Sequence, residues 1–433
     1  MGGLHDNFPK FGKGDYMVGQ RIRYYRKTKG LTQEELAQGI CSVSYLSKIE
    51  KGDAKSSEEV INLLCEKLGI SSEEVDSNEI LEMLNEWNMM MVNRRFDEAE
   101  EFFETVREKM QHVSEPELIL RYELFLARKY IVSNEQDLTH TDEILSKIKE
   151  LQEQLTQELK FYYNQILSMY YYFKTDYKNA LSHLQEAEKL MSVINIEDME
   201  RAVVFYQLAL CFGQIFRISS VNYYAYKAIN IFDKEYNYSR SADCQILLAI
   251  SNRRVRNYVQ AEYHLNQALK YSKTFKDDFT SGVIFHNLGF LASCRNEHQK
   301  SIQFLEKSLS FKKDLSDVTK IATIFLMASE YYQLEDYNSS EKWLTQGQKI
   351  LNEYPHHEYE YHYRILMLKI KKDHDELISY LAKEAVPYFD KQHLLESYAT
   401  YSELLADLYF EHSQYKKASL YYRVSNNARK NIL

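Results

Sequence analysis

Histidines, cysteines and close pairs of carboxylates are the residues that most often carry chemistry. This chain of 433 residues offers few of them in a working arrangement. The run HHEYEYH gathers His356, His357 and His362, but no second ligand cluster accompanies it, so no metal site is expected. Cys41, Cys65, Cys211, Cys244 and Cys294 are odd in number and none forms a CxxC pair. That argues against a disulfide framework or zinc and for free thiols in a reducing compartment. The phosphate-cradling, nucleophile-elbow and zincin motifs are absent, and carboxylates are spread along helical faces. Neither a cofactor nor ordinary enzymology is expected. What remains is recognition chemistry: one basic stretch near the N-terminus, and amides and arginines that recur at regular intervals.

Composition says what must position them. Only 4 prolines and 13 glycines interrupt a chain that is 45% hydrophobic and holds 36 tyrosines, which predicts a nearly all-α protein. No apolar run approaches the ~20 residues of a membrane span, and residues 1–16 lack the apolar core of a signal peptide. Residues 1–16 read as a flexible leader, with Met17 an alternative start, and the protein as cytoplasmic. The formal charge is −9. Residues 17–55 hold eight basic residues against four acidic ones, a net +4, leaving −13 for the remainder. A small basic head on a large acidic body is expected to meet polyanions through the head alone.

Within residues 17–72 the sequence spells four short helices. VGQRIRYYRKTKG places Val18, Ile22 and Tyr25 on one face and stops at Gly30. Thr32 and Glu35 form a capping box, and Leu36, Ala37 and Ile40 point inward. Ser42 caps a third helix with Leu46 and Ile49 inside, closed by Gly52. Ser56 or Ser57 caps a fourth, apolar at Val60, Leu63, Leu64 and Leu68. The pattern LTQEELA…SYLSKIEKG resembles the lambda-repressor-type (XRE) helix-turn-helix. The resemblance implies that the helix after Ser42 enters the major groove of double-stranded DNA. Val43, Ser44, Ser47 and Lys48 would then meet base edges, and Thr32, Gln33, Lys51 and Lys55 phosphates. Val43, Ser44 and Ser47 are short and lack a bidentate Arg or Gln, so DNA shape and half-site spacing must supply much of the specificity.

The remainder, residues 76–433, repeats. Ser168, Ala209, Ala249, Gly289 and Ala328 are spaced 41, 40, 40 and 39 apart. Twelve residues after each come Ala180, Val221, Ala261, Ser301 and Ser340, and seven later Ala187, Ala228, Ala268, Ser308 and Gly347. Weaker copies include Ala99 with Val106, and Ala406 with Ala418 and Ser425. Small residues at fixed places let two helices approach closely, with Tyr177, Tyr258 and Tyr337 packing at the turns. The pattern resembles the tetratricopeptide repeat, best in HNLGFLASCRNEHQKSIQFLEKSL. It implies a right-handed superhelical solenoid of about nine helix pairs, whose first helices line a concave face. There the alignment of copies brings Gln207, Gln214, Asn252, Arg253, Arg254, His286 and Asn287, with Asp243 nearby. Amides pair with both polar groups of an extended peptide, and arginines with a carboxylate. The tyrosines read mostly as packing, with a tyrosine-lined ligand box as the alternative.

A helix-turn-helix head on such a body resembles the RNPP family of peptide-pheromone receptors of Gram-positive bacteria, and by repeat number its NprR-like members. The resemblance implies a quorum-sensing transcription regulator. A short signalling peptide would occupy the concave face and switch a homodimer or tetramer, and with it DNA binding. The alternative it implies is a bifunctional protein. Such a protein would also bind the receiver domain of a sporulation response regulator and promote its dephosphorylation, with Gln152, Glu153, Gln154 and Gln157 as the side chains of suitable type.

Overall fold

The computed structural model describes residues 13–54, 57–69, 76–111, 113–133, 137–275 and 277–432. Lys55, Ser56 and most of the expected leader lie outside them. Every regular element among the described residues is helical, and none is long and apolar enough to cross a membrane. The chain divides into two compact units, residues 1–204 and 205–433.

The first unit opens with α1 (Lys13–Thr28), α2 (Gln33–Ala37), α3 (Val43–Lys51) and α4 (Glu58–Leu68). The α1 helix begins at Lys13, so residues 13–16 belong to it and not to a flexible leader. Thr32 and Glu35 form the expected capping box. Ser42 caps α3, accepting from the Tyr45 amide at 3.2 Å. Gly52 ends α3 and Gly69 ends α4, both left-handed, where glycine carries no Cβ penalty. Ser57 caps α4. Ile22, Leu36, Ala37, Leu46, Ile49, Leu64 and Leu68 form the core. Leu63 departs from expectation. It is 42% exposed, because it falls off the side of α4 that faces α1 and α2.

The helices that follow come in pairs: α5 (Ser77–Val92) with α6 (Phe96–Met110), α7 (Pro116–Val132) with α8 (Leu138–Glu150), and α9 (Gln157–Phe173) with α10 (Tyr177–Leu190). A fourth pair, α11 (Asp198–Gln214) and α12 (Ile218–Lys234), holds the division between the units. The second unit continues with α13 (Tyr238–Arg254) and α14 (Tyr258–Phe275), α15 (Asp278–Cys294) and α16 (His298–Phe311), and α17 (Ile321–Gln333) and α18 (Tyr337–Glu353). Then come α19 (His357–Lys371) with the broken α20 (His374–Tyr380) and α21 (Val386–Lys391), and finally α22 (Leu395–Glu411) with α23 (Tyr415–Ile432). A π turn at Leu381–Ala385 joins α20 to α21. Pro387, in the first turn of α21, lacks the amide that a regular helix would need there, and the wider turn absorbs the loss. That makes nine pairs among the described residues, a helical-repeat solenoid after a helix-turn-helix head.

The small residues of the periodic motif are the seats on which the helices meet. Ala180, Val221, Ala261, Ser301 and Ser340 are all essentially inaccessible. At three serine seats the hydroxyl donates across the contact, Ser301 Oγ to Gly289 O at 2.9 Å, Ser340 Oγ to Ala328 O at 2.7 Å and Ser308 Oγ to Gly282 O at 2.7 Å, whereas Ser168 Oγ donates along its own helix to Gln165 O at 2.6 Å. The turns after the first helices carry a left-handed residue that is not glycine: Thr175, Phe216, Arg256, Asn296 and Glu335, at nearly the repeat spacing. That conformation costs ~1–2 kcal/mol for a residue with a Cβ, and the packed pair on either side overrides it.

Among the described glycines, Gly19 and Gly347 leave the least room for a Cβ. At Gly19 it would lie 1.9 Å from Ile49 O, and at Gly347 2.0 Å from the Tyr363 hydroxyl. Gly213 has ordinary space, its nearest neighbour Leu247 Cδ1 at 3.4 Å. Gly19→Ala and Gly347→Ala should each destabilise by ~1–3 kcal/mol through overpacking. Gly213→Ala should be neutral or stabilising by up to ~1 kcal/mol through helix propensity. Thermal melts of the three variants check the ordering.

Candidate functional site

In the head, the helix expected to read DNA projects as its sequence says. Val43, Ser44 and Lys48 are exposed, Lys51 is exposed at its end, and Ser47 is half-buried. Besides the shared apolar core, an ion pair of which the sequence carried no sign ties α3 to α1. Glu50 is 2% exposed and Arg26 8%. Arg26 Nε and Nη2 donate to the two Glu50 oxygens at 2.6 and 2.9 Å, and Nη1 donates to Leu31 O at 2.8 Å. Gln33 Nε2 adds a third donor to Glu50 at 2.8 Å. Gln33 is therefore tied to the scaffold. Its neighbour Thr32 is held by the capping box. Beside this pair lies a cavity of about 130 Å³ lined by Arg23, Arg26, Lys27, Ser47 and Lys51. Its cationic wall suits a phosphate group. The spacing of Arg26 and Glu50 alone gave no sign of the pair, since 24 residues separate them.

In the second unit, one pocket of about 560 Å³ collects side chains from the first helices of successive pairs. Arg253 and Arg254 come from α13, His286 and Phe290 from α15, Phe325 from α17, Tyr359 and His362 from α19, and Glu396 and Tyr401 from α22. Three of the seven expected ligand-binding residues, Arg253, Arg254 and His286, thus line it together. Asn252 and Asn287 do not line it. Each donates its amide one turn back along its own helix, Asn252 to Leu248 O at 2.8 Å and Asn287 to Val283 O at 2.9 Å. Gln207 and Gln214 also lie outside it. Gln207 Oε1 is buried without a hydrogen-bond partner among the described residues.

Glu396, Tyr359 and Tyr401 were not foreseen, because they belong to degenerate copies with irregular spacing, and Phe325, three places before Ala328 in a regular copy, is apolar and carried no recognition signal. Glu396 receives both arginines: Arg253 Nη1 and Nη2 at 3.3 Å on Oε1, Arg254 Nε at 3.0 Å on Oε2. Burial pushes its carboxyl up, but Arg253 and Arg254 outweigh burial and hold it below the usual range. Phe325, His362, Phe389 and Tyr401 stack into an aromatic floor with ring centroids 5.2–5.4 Å apart. The Tyr401 hydroxyl meets His362 Nδ1 at 2.5 Å. His362, from the histidine-rich run where no metal site was expected, is thus part of this floor, while His357 is exposed and pairs with Glu360. Most tyrosines pack between helices, but Tyr258, Tyr359 and Tyr401 do line the pocket.

Of the side chains suggested for phosphatase chemistry, Gln152, Glu153 and Gln157 are exposed and Gln154 is half-buried. Gln152 and Glu153 lie in an exposed turn between α8 and α9, and Glu153 pairs with Arg23 at 3.5 Å. The first unit instead buries a polar cluster missed by the sequence reading. Arg128 is ringed by Asn88, Gln165 and Glu200, all at most 3% exposed. It donates to Glu200 Oε1 at 2.9 Å and to Asn88 Oδ1 at 2.5 Å.

Residues 22–75 match the helix-turn-helix family model. Over 406 residues, 92% of this chain and all of its relative, the sequence is 32% identical to the transcriptional activator NprA of Geobacillus stearothermophilus. The chain belongs to the RNPP family. A further relative is the response regulator aspartate phosphatase I of Bacillus subtilis (strain 168). It is 24% identical over 363 residues, 82% of this chain and 91% of that one. A crystal structure of NprR in complex with its cognate peptide NprX shares the fold, with a TM-score of 0.63 at 21% identity over 80% of this chain and 98% of that one.

Two outcomes follow from this geometry. Arg26→Ala leaves Glu50 buried without its counter-charge and should cost ~3–5 kcal/mol, whereas Gln33→Ala removes one neutral donor to it and should cost ~1–2 kcal/mol. Denaturant unfolding of the two variants tests the ratio. Burial, with Lys312 and Arg253 nearby, pushes the His286 imidazole down to about 3. In the unfolded chain a histidine takes its proton near pH 6.5. Below that pH the unfolded state binds the extra proton, so stability should fall from about pH 6.5 toward about pH 3. His286→Gln should flatten that limb of a stability-versus-pH curve.

Proposed function

We propose that this RNPP protein is a peptide-responsive transcriptional regulator of the cytoplasm. Its solenoid binds a short signalling peptide and thereby sets oligomeric state and DNA binding by the head. The observation that carries the reading is the pocket of about 560 Å³ that gathers Arg253 and Arg254 with the aromatic side chains Phe290, Phe325, Tyr359 and Tyr401. Charge-assisted donors fix a peptide's anionic group, and the floor takes apolar side chains. The pocket joins five pairs of the second unit, so a ligand seated there can favour one stacking of those pairs over another. The shift is as large as its differential affinity and no larger. A head of four short helices covers little DNA, and a dimer reading two half-sites supplies the rest. Within each head, Val43, Ser44, Ser47 and Lys48 face base edges. Thr32, Gln33 and Lys51 stand at the phosphates, with Thr32 and Gln33 also fixed to the scaffold.

A second reading is supported by the relative that is an aspartate phosphatase over most of its length. In it the solenoid also binds a receiver domain and promotes loss of its phosphoryl group. Hydrolysis of a phosphorylated receiver domain, measured with and without this protein, decides it.

The main reading is tested with a pool of random heptapeptides. Peptides retained by the full-length protein, identified by mass spectrometry, should change both its size in solution and its affinity for a DNA site selected from random sequence. If nothing is retained, or size and DNA affinity both stay fixed, the reading is wrong. Arg254→Ala should lower retention ~10–100-fold through loss of a charged hydrogen bond. Lys51→Ala should reduce the slope of log affinity for DNA against log salt by about 1.

A further inference from the structure

The arginine wall is built to hold an anion with or without Glu396. Arg253 stacks on the Phe290 ring at 4.2 Å and Arg254 on the Phe216 ring at 4.6 Å. Arg254 Nη1 also donates to Gly213 O at 2.7 Å. Each guanidinium is thus oriented by contacts of its own. Glu396 reaches them from 142 or 143 residues further along the chain, at the first turn of α22. Its fit is incomplete. Both terminal nitrogens of Arg253 share one oxygen at 3.3 Å, longer than the ~2.7–2.9 Å of a well-made charged bond. Arg253 Nε is buried with no hydrogen-bond partner among the described residues. Donors therefore outnumber the acceptors that one glutamate supplies, and the Glu396 side chain is 39% exposed at the pocket.

We propose that Glu396 stands in for a carboxylate of the ligand: an effector peptide places its own carboxylate between Arg253 and Arg254, displaces Glu396, and so frees the start of α22 from the end of α13. The inference rests on the peptide reading above and names the chemistry of that ligand. Exchange of one carboxylate for another is nearly even for the arginines. Net affinity then comes from the aromatic floor, while the displaced Glu396 carries the signal to α22. A peptide with no carboxylate leaves the clamp closed.

The test uses full-length protein and three heptapeptide pools. The first lacks Asp and Glu and has a free C-terminus. The second lacks them and is C-terminally amidated. The third is amidated and carries one Asp or Glu. The wild type should retain the first pool, the third, or both at least ~10-fold more than the second, and the winner shows whether the carboxylate is terminal or from a side chain. Glu396→Gln and Glu396→Ala, each confirmed as folded by thermal melting, should retain the carboxylate pools ~10-fold more tightly than the wild type. Arg253→Gln/Arg254→Gln should reduce all pools to the level of the second. Equal retention of the first two pools by the wild type, with the third no better, overturns the proposal, as does weaker retention of carboxylate pools by both Glu396 variants. If no form of the protein retains any pool, the peptide reading itself fails.

Discussion

The repeats of this protein depend on one steric constraint, the close approach of two helices at a small residue. On the first helices Gly289 and Ala328 accept hydrogen bonds from the serines twelve places further on, and Ala249 shares one core with Ala261. A methyl group more, at a seat as tight as Gly347, collides with the neighbouring tyrosine. Interiors are packed to crystal-like density, so such seats fix distances between helices to a fraction of an ångström. Everything built on the first helices inherits that spacing, including the distance across which Arg253 and Arg254 face Glu396.

Buried charge is used in two ways. In the head and in the first unit, Arg26 with Glu50 and Arg128 with Glu200 are almost wholly sealed, and each guanidinium has several acceptors. Such pairs add little net stability over apolar substitutes, but a wrong arrangement would strand a charge, so they select one geometry. That suits a recognition helix whose angle must be fixed. The clamp at Glu396 is different. It opens on a pocket, its bonds to Arg253 are long, and one Arg253 donor is unused. An ion pair of this kind is suited to exchange.

The aromatic content is likewise divided between structure and recognition. Tyr363, fully buried, anchors a helix contact by donating to Ile321 O at 3.2 Å. Tyr401, some forty residues on, ends in the pocket against His362. Both are tyrosines in degenerate copies of the repeat, and composition alone cannot tell them apart. Asn252 and Asn287 teach the same lesson in reverse. Their positions on the aligned first helices are as expected, yet their amides turn to their own backbones.

The sequence by itself determined the class and rhythm of the fold. Helix caps at Thr32 and Ser42, glycine stops at Gly30 and Gly52, and small residues at a period near 40 are local or periodic signals. Local backbone physics reads them without knowing what lies opposite. The outward face of α3 followed from the same rules. Only the tertiary structure decided which polar residues meet. Arg26 finds Glu50, Arg128 finds Asn88, Gln165 and Glu200, and Arg253 and Arg254 find Glu396, over separations from 24 to 143 residues. A charge has no periodic signature. Its partner is fixed by how helices stack across several repeats, and that follows from packing.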